Sequence, residues 1–222
     1  FFSFARDKER KAGTKFVWPG MDRELWGNRR LRAIAFMYFC VKLLRYAFLF
    51  WLPYYMTREL RYRPEDAGYS SAIFEFVGFG GVLLAGYTSE RVGSGKRLWV
   101  ASTMMFGLAL LCVVYPHVSA MSTWVNLAMI GLIGAFTFGP DTLMAGPATQ
   151  EAVPPEKVGG AAGMVNGIGS LGQILSPLVV NILSERFGWG TLFAMLGMMA
   201  MVGGMVLAME MRQHWRVARE EA

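Results

Sequence analysis

The stretch CVKLLRYAFLFWLPYYM, residues 40–56, is apolar and aromatic almost throughout, yet it carries Lys42 and Arg45 near its middle. Extended back to residue 31 it is long enough, at about 1.5 Å per residue, to cross a hydrocarbon core of about 30 Å. A segment that reads as membrane-buried therefore places two cations where water is absent. The reason has to lie elsewhere in the chain.

The remaining composition agrees with a membrane solvent. Of 222 residues, 54% are hydrophobic and only 17% charged, an unusual balance for a soluble domain. The 16 Met and 26 Gly fit closely packed membrane helices, which favour soft and small side chains. A net charge of +6 raises nucleic acid as a partner, but the cations cluster in short segments between apolar runs, which argues against it. Cys40 and Cys112 fall inside apolar runs with neither metal-type nor disulfide spacing, and His117 and His214 are isolated, so neither a metal nor a cofactor is expected.

Six apolar runs are expected to form transmembrane helices: about 31–56, 67–88, 98–116, 123–147, 159–183 and 191–210. Alternation with period two is absent, so a transmembrane barrel is not expected. Residues 1–30 read as a charged linker opening on the end of an apolar segment at 1–5, and residues 211–222 as a polar tail. The chain thus looks like the second part of something longer. Six crossings leave both termini on one side. That side carries nine Lys or Arg through Arg32, then Arg91, Lys96, Arg97, Lys157, Arg212, Arg216 and Arg219. The other carries Arg58, Arg61, Arg63 and Arg186, so the cation bias puts both termini in the cytoplasm.

Lys42, Arg45, Glu75 and Asp141 remain inside the expected spans. A charge at a helix centre costs roughly 2.5–3.5 kcal/mol on insertion scales, so four facing lipid would cost on the order of 10 kcal/mol. All four are expected to face the bundle interior or a water-filled cavity. Helical spacing puts Tyr38, Lys42, Arg45 and Leu49 on one stripe. A buried ion pair that merely fixes packing would satisfy Lys42. Arg45 is different, because its permanently charged planar fork suits a carboxylate or phosphate held through two oxygens. Two adjacent cations also call for more anion than one carboxylate supplies, near the midplane where transporters bind their substrates.

Other spans add features for a cavity. In GGAAGMVNGIGSLGQILSP, Gly159, Gly163 and Gly167 form a ridge expected to seat a neighbouring helix. Asn166, Ser170 and Gln173 form a polar stripe that either contacts substrate or hydrogen-bonds adjacent helices. The G-x-G-x-x-G spacing of Gly167, Gly169 and Gly172 lacks the strand a dinucleotide site needs, and is set aside. Pro140 removes a backbone donor beside Asp141, as a hinge or a static kink. No nucleophile is assembled with a base, so an enzyme is not expected.

Several stretches now resemble a known family. GYTSERVGSGKR resembles the loop motif of the major facilitator superfamily through Gly86, Glu90, Arg91, Gly93, Lys96 and Arg97, with Gly95 as an extra residue. LLRYAFLFWLPYY is similar to helix seven of organophosphate:phosphate antiporters at Leu43, Leu44, Arg45, Tyr46, Trp51, Pro53 and Tyr55. FEFVG (74–78), FGP (138–140), GGAAG (159–163) and FGW (187–189) agree with the same family, in order.

The resemblance implies an all-α membrane protein, six transmembrane helices forming one half of a twelve-helix fold. It implies a secondary transporter exchanging glycerol 3-phosphate or a sugar phosphate for inorganic phosphate by alternating access, in a bacterial inner (plasma) membrane. Its partners would be those solutes, the lipid bilayer and an N-terminal six-helix half supplying a second arginine. Arg45 would correspond to the family's phosphate-binding arginine, and the loop motif would steady one conformation by charge pairing. Lys42 resembles the sugar-phosphate branch, while Asp141 departs from the apolar residue usual after Gly-Pro. The expected substrate-binding set is Arg45, Lys42, Tyr38, Glu75, Asp141, Asn166 and Ser170. The alternatives are a proton-coupled facilitator of another small solute, with Glu75 or Asp141 carrying the proton, or an inactive half-transporter.

Overall fold

The computed structural model describes residues 23–93 and 96–220, with side chains through Gln213. The linker up to Asp22, Gly95 of the loop motif, and the side chains of His214, Arg216 and Arg219 lie outside the described residues. Within them the chain is entirely helical: α1 (Arg23–Gly27), α2 (Arg29–Arg58), α3 (Pro64–Val92), α4 (Arg97–Val118), α5 (Thr123–Leu143), α6 (Thr149–Glu151) and α7 (Val158–Glu220). A π-helical turn, Met144–Ala148, joins α5 to α6 so that one run crosses from Thr123 to Glu151.

Local chemistry sets the helix starts. Asn28 caps α2 by accepting from the Leu31 N–H at 3.0 Å, and Ser122 caps α5 by accepting from Val125 at 3.2 Å. Pro64 opens α3 where a missing N–H costs nothing, and Glu65 and Asp66 sit at the positive end of its dipole. At the other end Gly93 turns the chain at φ 93°, a conformation that disfavours a side chain.

The fifth and sixth expected spans form a single element, α7, that reverses direction at Gly188 (φ 80°, ψ 167°). Its first limb, 158–187, runs parallel to α2: Asn166 meets Tyr38, Gly172 lies on Phe39, and just past the bend Trp189 stacks on Tyr55. The second limb, 189–220, returns antiparallel, with Phe193 at Tyr55, Gly203 at Cys40 and Glu210 at Arg29. The described start of α2 and the final turns of α7 therefore lie at one end of the bundle, here termed the near end.

Small residues set how closely the helices approach. The buried stripe of α3 is Ala67, Ser70, Phe74, Gly78, Gly81, Ala85 and Ser89, spaced by three and four. A Cβ at Gly81 would overlap the Ala135 carbonyl of α5, and one at Gly134 would overlap the Phe74 carbonyl. Backbone thus rests on backbone. On α7 the seat for α2 is not the ridge at Gly159, Gly163 and Gly167. Gly163 is exposed and Gly159 and Gly167 have no neighbour within 4 Å among the described residues, whereas Gly169 and Gly172 lie against Tyr38 and Phe39 of α2. Small-residue spacing alone does not reveal which face of a helix meets its neighbour.

The two ends are pinned by different chemistry. At the far end, Tyr115 donates to Asn126 (3.0 Å), Asn126 donates to Tyr62 (3.3 Å), and the Tyr55 and Ser119 hydroxyls lie 3.0 Å apart. At the near end, Glu151 meets Arg97 at 2.8 Å and Arg30 at 3.6 Å, Arg29 pairs with Glu210 at 2.9 Å, and Lys157 pairs with Glu24. Outward faces carry large apolar side chains such as Phe76, Phe79, Leu83 and Leu84.

Gly81→Val forces a branched side chain into the α3–α5 contact. The expected loss is about 1–3 kcal/mol, the range for overpacking, with Gly86→Ala near neutral because no neighbour lies within 4 Å of that site. Thermal unfolding of both variants in one detergent checks this.

Candidate functional site

Lys42 and Arg45 straddle the midpoint of α2 one turn apart, and both reach the same carboxylate on α5. Lys42 Nζ lies 3.1 Å from Asp141 Oδ1, and Arg45 Nη1 donates to Asp141 Oδ2 at 2.5 Å. Asp141 is buried, with 8% of its side chain exposed, against 16% for Lys42 and 24% for Arg45. The carboxylate is thus enclosed while its two cations retain access to the bundle surface. The cluster holds two positive charges and one negative. Arg45 Nε is buried without a hydrogen-bond partner among the described residues.

Aromatic faces complete the surroundings. The Arg45 guanidinium lies over the Phe138 ring, 4.0 Å from its centroid, and Lys42 Nζ lies 5.0 Å from that of Tyr38. Ring quadrupoles stabilise cations where water is scarce, and they do so without neutralising them. Tyr38 is itself buried, and its hydroxyl donates to Asn166 Oδ1 at 3.2 Å. Gly169 makes this arrangement possible, because a Cβ there would overlap the Tyr38 ring and crowd the Lys42 stem.

Asp141 is placed by the local form of α5. Gly134 and Gly139 let that helix sit against α3 and α4, close to Phe74 and Met104 respectively. Pro140 lies within the helix, and three residues after Asp141 the backbone widens into the π-helical turn, whose C-terminal neighbour Thr149 donates its hydroxyl to the Met144 carbonyl. Such turns recur beside functional groups, since one extra residue re-aims the side chains that follow.

Five expected site residues, Tyr38, Lys42, Arg45, Asp141 and Asn166, form one connected set. Ser170 is exposed one turn beyond Asn166 and donates to that residue's own carbonyl at 2.9 Å, so it borders the set without joining it. Glu75 lies outside this set. It is exposed, and it has no ion-pair partner among the described residues. Phe74 takes the inward slot on α3, and the next residue is rotated by about 100°.

In the loop motif, Gly93 supplies the turn and Gly86 is half-buried without a close neighbour. Glu90 is exposed, and Arg91 stacks on Tyr87 at 4.5 Å. Lys96 precedes α4, and Arg97 makes the inter-helix pair with Glu151. Glu151 and Phe138 escaped the sequence reading. Glu151 sits in a stretch that reads as a connector. Phe138 lies three residues before Asp141, a helical spacing that was the available signal.

Comparison with known proteins agrees with this architecture: residues 34–221 match the Major Facilitator Superfamily. The chain belongs to that superfamily. Similar proteins include a putative glycerol-3-phosphate transporter of Arabidopsis thaliana, 30% identical over 214 residues, which is 90% of this chain and 39% of that protein. A glucose-6-phosphate exchanger of Homo sapiens is 33% identical over 162 residues, 70% of this chain and 30% of its own length. A glycerol-3-phosphate transporter of Bacillus subtilis is 28% identical over 193 residues, 86% and 42% respectively. The chain therefore spans well under half the length of these relatives. The resemblance to organophosphate antiporters noted in LLRYAFLFWLPYY is matched by their names.

Asp141→Asn leaves Lys42 and Arg45 facing each other without a carboxylate. The expected destabilisation is about 1–3 kcal/mol, below the 3–5 kcal/mol of a fully buried pair because both cations keep some exposure. Thermal unfolding followed by circular dichroism in detergent measures it, with Glu75→Gln expected to be near neutral.

Proposed function

We propose that the chain supplies one six-helix half of a transporter that exchanges an organic phosphate, glycerol 3-phosphate or a sugar phosphate, for inorganic phosphate by alternating access. The observation that carries this is the shared carboxylate. Two cations at the midpoint of a span are held by one Asp141, leaving a site that is one negative charge short. The names of the relatives supply the substrate class.

In this reading Asp141 occupies the anion seat while the carrier is empty, and a phosphoryl group displaces it. A phosphate dianion presents oxygens on several sides, so it can engage the Arg45 fork and Lys42 together and still meet a cation from the facing half. Its differential binding to the occluded form lowers the cost of reorientation, and the empty carrier, with Asp141 in place, has less to gain. Exchange is then favoured over net leak. Tyr38 and Asn166 border the phosphoryl seat on the α7 side, where Asn166 and Ser170 offer polar groups to the organic portion. Glu75, outside the cluster, faces the other half. The Arg97–Glu151–Arg30 contacts hold the near end closed in one of the two conformations. By its cation bias that end is cytoplasmic, with both termini there, in a bacterial inner membrane.

The test is exchange of labelled phosphate into phosphate-loaded liposomes by the complete gene product. Arg45→Ala is expected to lower exchange by about thirtyfold or more, since truncating one partner of a desolvated charge contact costs about 2–5 kcal/mol, while Arg45→Lys retains a fraction of the rate. Exchange that survives Arg45→Ala with correct folding removes Arg45 from the site. A proton-driven current without any phosphate requirement replaces the exchanger with a proton-coupled facilitator.

A further inference from the structure

A groove of about 370 Å³ opens at the near end between the first turns of α2 and the last described turns of α7, away from the Asp141 cluster. Arg29, Arg32 and Glu210 line its outer part, and Phe36, Val206 and Met209 its inner part. Helical spacing places Arg29, Arg32 and Phe36 on one stripe of α2, roughly opposite to Tyr38, Lys42 and Arg45. This groove therefore faces away from the bundle's polar set.

We propose that it binds an anionic phospholipid of the leaflet at this end. Depth is the first argument. The 30-residue α2 is about 45 Å long against a hydrocarbon core of about 30 Å, so its first turn projects into the headgroup layer and Phe36 lies near the hydrocarbon boundary. Charge is the second. Arg29 is held by Glu210 at 2.9 Å, whereas Arg32 is exposed and has no carboxylate partner among the described residues. Two guanidiniums and one carboxylate leave one positive charge, which a single phosphodiester completes. Arg29 uses Nε on Glu210 and keeps its other donors, so both forks can address the same phosphodiester. The apolar inner wall is the third. Phe36 and Met209 are 41% and 62% exposed, side by side below the arginines, where an acyl chain would lie. A free phosphate ion would gain nothing from that wall. Basic pockets between helix ends at the membrane surface are a recurrent means of holding acidic headgroups.

Native mass spectrometry of the detergent-solubilised full-length protein, titrated with phosphatidylglycerol or phosphatidylcholine, tests the site without any transport assay. Phosphatidylglycerol is expected to be retained about fivefold better, the preference that one uncompensated arginine provides at the membrane surface. Arg32→Glu abolishes that preference and Arg63→Glu, at the far end, preserves it. Phe36→Ala weakens retention of both lipids. Circular dichroism monitors helix content, and Arg32→Gln gives the same reading should Arg32→Glu fail to fold. Equal retention of the two lipids, or a preference that survives Arg32→Glu, overturns the proposal. Displacement of phosphatidylglycerol by millimolar inorganic phosphate assigns the arginines to a free anion instead and also overturns it.

Discussion

Asp141 neutralises one of two cations that the bilayer would otherwise expel, and much of the bundle is arranged around that contact. In a medium without water, an unpaired charge is costly, and a carboxylate shared between Lys42 and Arg45 is the compensation at hand. It requires α5 to stand beside α2 with Asp141 turned inward. Glycines at the α3–α5 and α5–α4 contacts allow the approach, and the π-helical turn after Asp141 sets the direction of the chain that follows. On the other side, Gly169 and Gly172 let α2 lie against α7 with the Tyr38 ring and the Lys42 stem between them.

The molecule separates its polar chemistry by depth. The near end holds ion pairs among exposed or half-buried arginines and glutamates, the middle holds one charge cluster braced by aromatic rings, and the far end holds a buried network of hydroxyl and amide groups. Surface ion pairs are individually weak and open readily to water. The buried far-end network is harder to break, because each lost hydrogen bond strands a polar group. A bundle built this way loosens more easily at its near end than at its far end.

Much of the fold was legible because membrane solvent simplifies the code. Apolar runs of sufficient length have to be helices, since each must satisfy its own backbone. Charges inside such runs stand out against their background, which is why Lys42, Arg45 and Asp141 were found together. Glu75 stood out equally, yet its place outside the cluster was not legible, because hydrophobic residues of a membrane helix face both lipid and protein and leave no polarity contrast to mark the face that meets α2 and α5. The same ambiguity hides which glycines of α7 seat α2: Gly169 and Gly172 do, whereas Gly159 and Gly167 have no neighbour within 4 Å among the described residues. Glu151 was missed for the opposite reason: in a charged connector, one more carboxylate carries no signal until Arg30 and Arg97 are brought to it.

The sequence by itself determined the solvent, the crossings and the presence of an anion-seeking pair at mid-span, because each follows from local length, hydropathy and charge along one helix. Tertiary structure alone decided that Asp141 contacts both cations while Glu75 contacts neither, and that α7 bends at Gly188 to lie along both sides of α2. It also decided that Arg29 and Arg32 border an open groove on the opposite face. Those outcomes depend on how helices rotate about their own axes when they pack. That rotation is set by close contacts between residues as much as 181 positions apart, as Arg29 and Glu210 are.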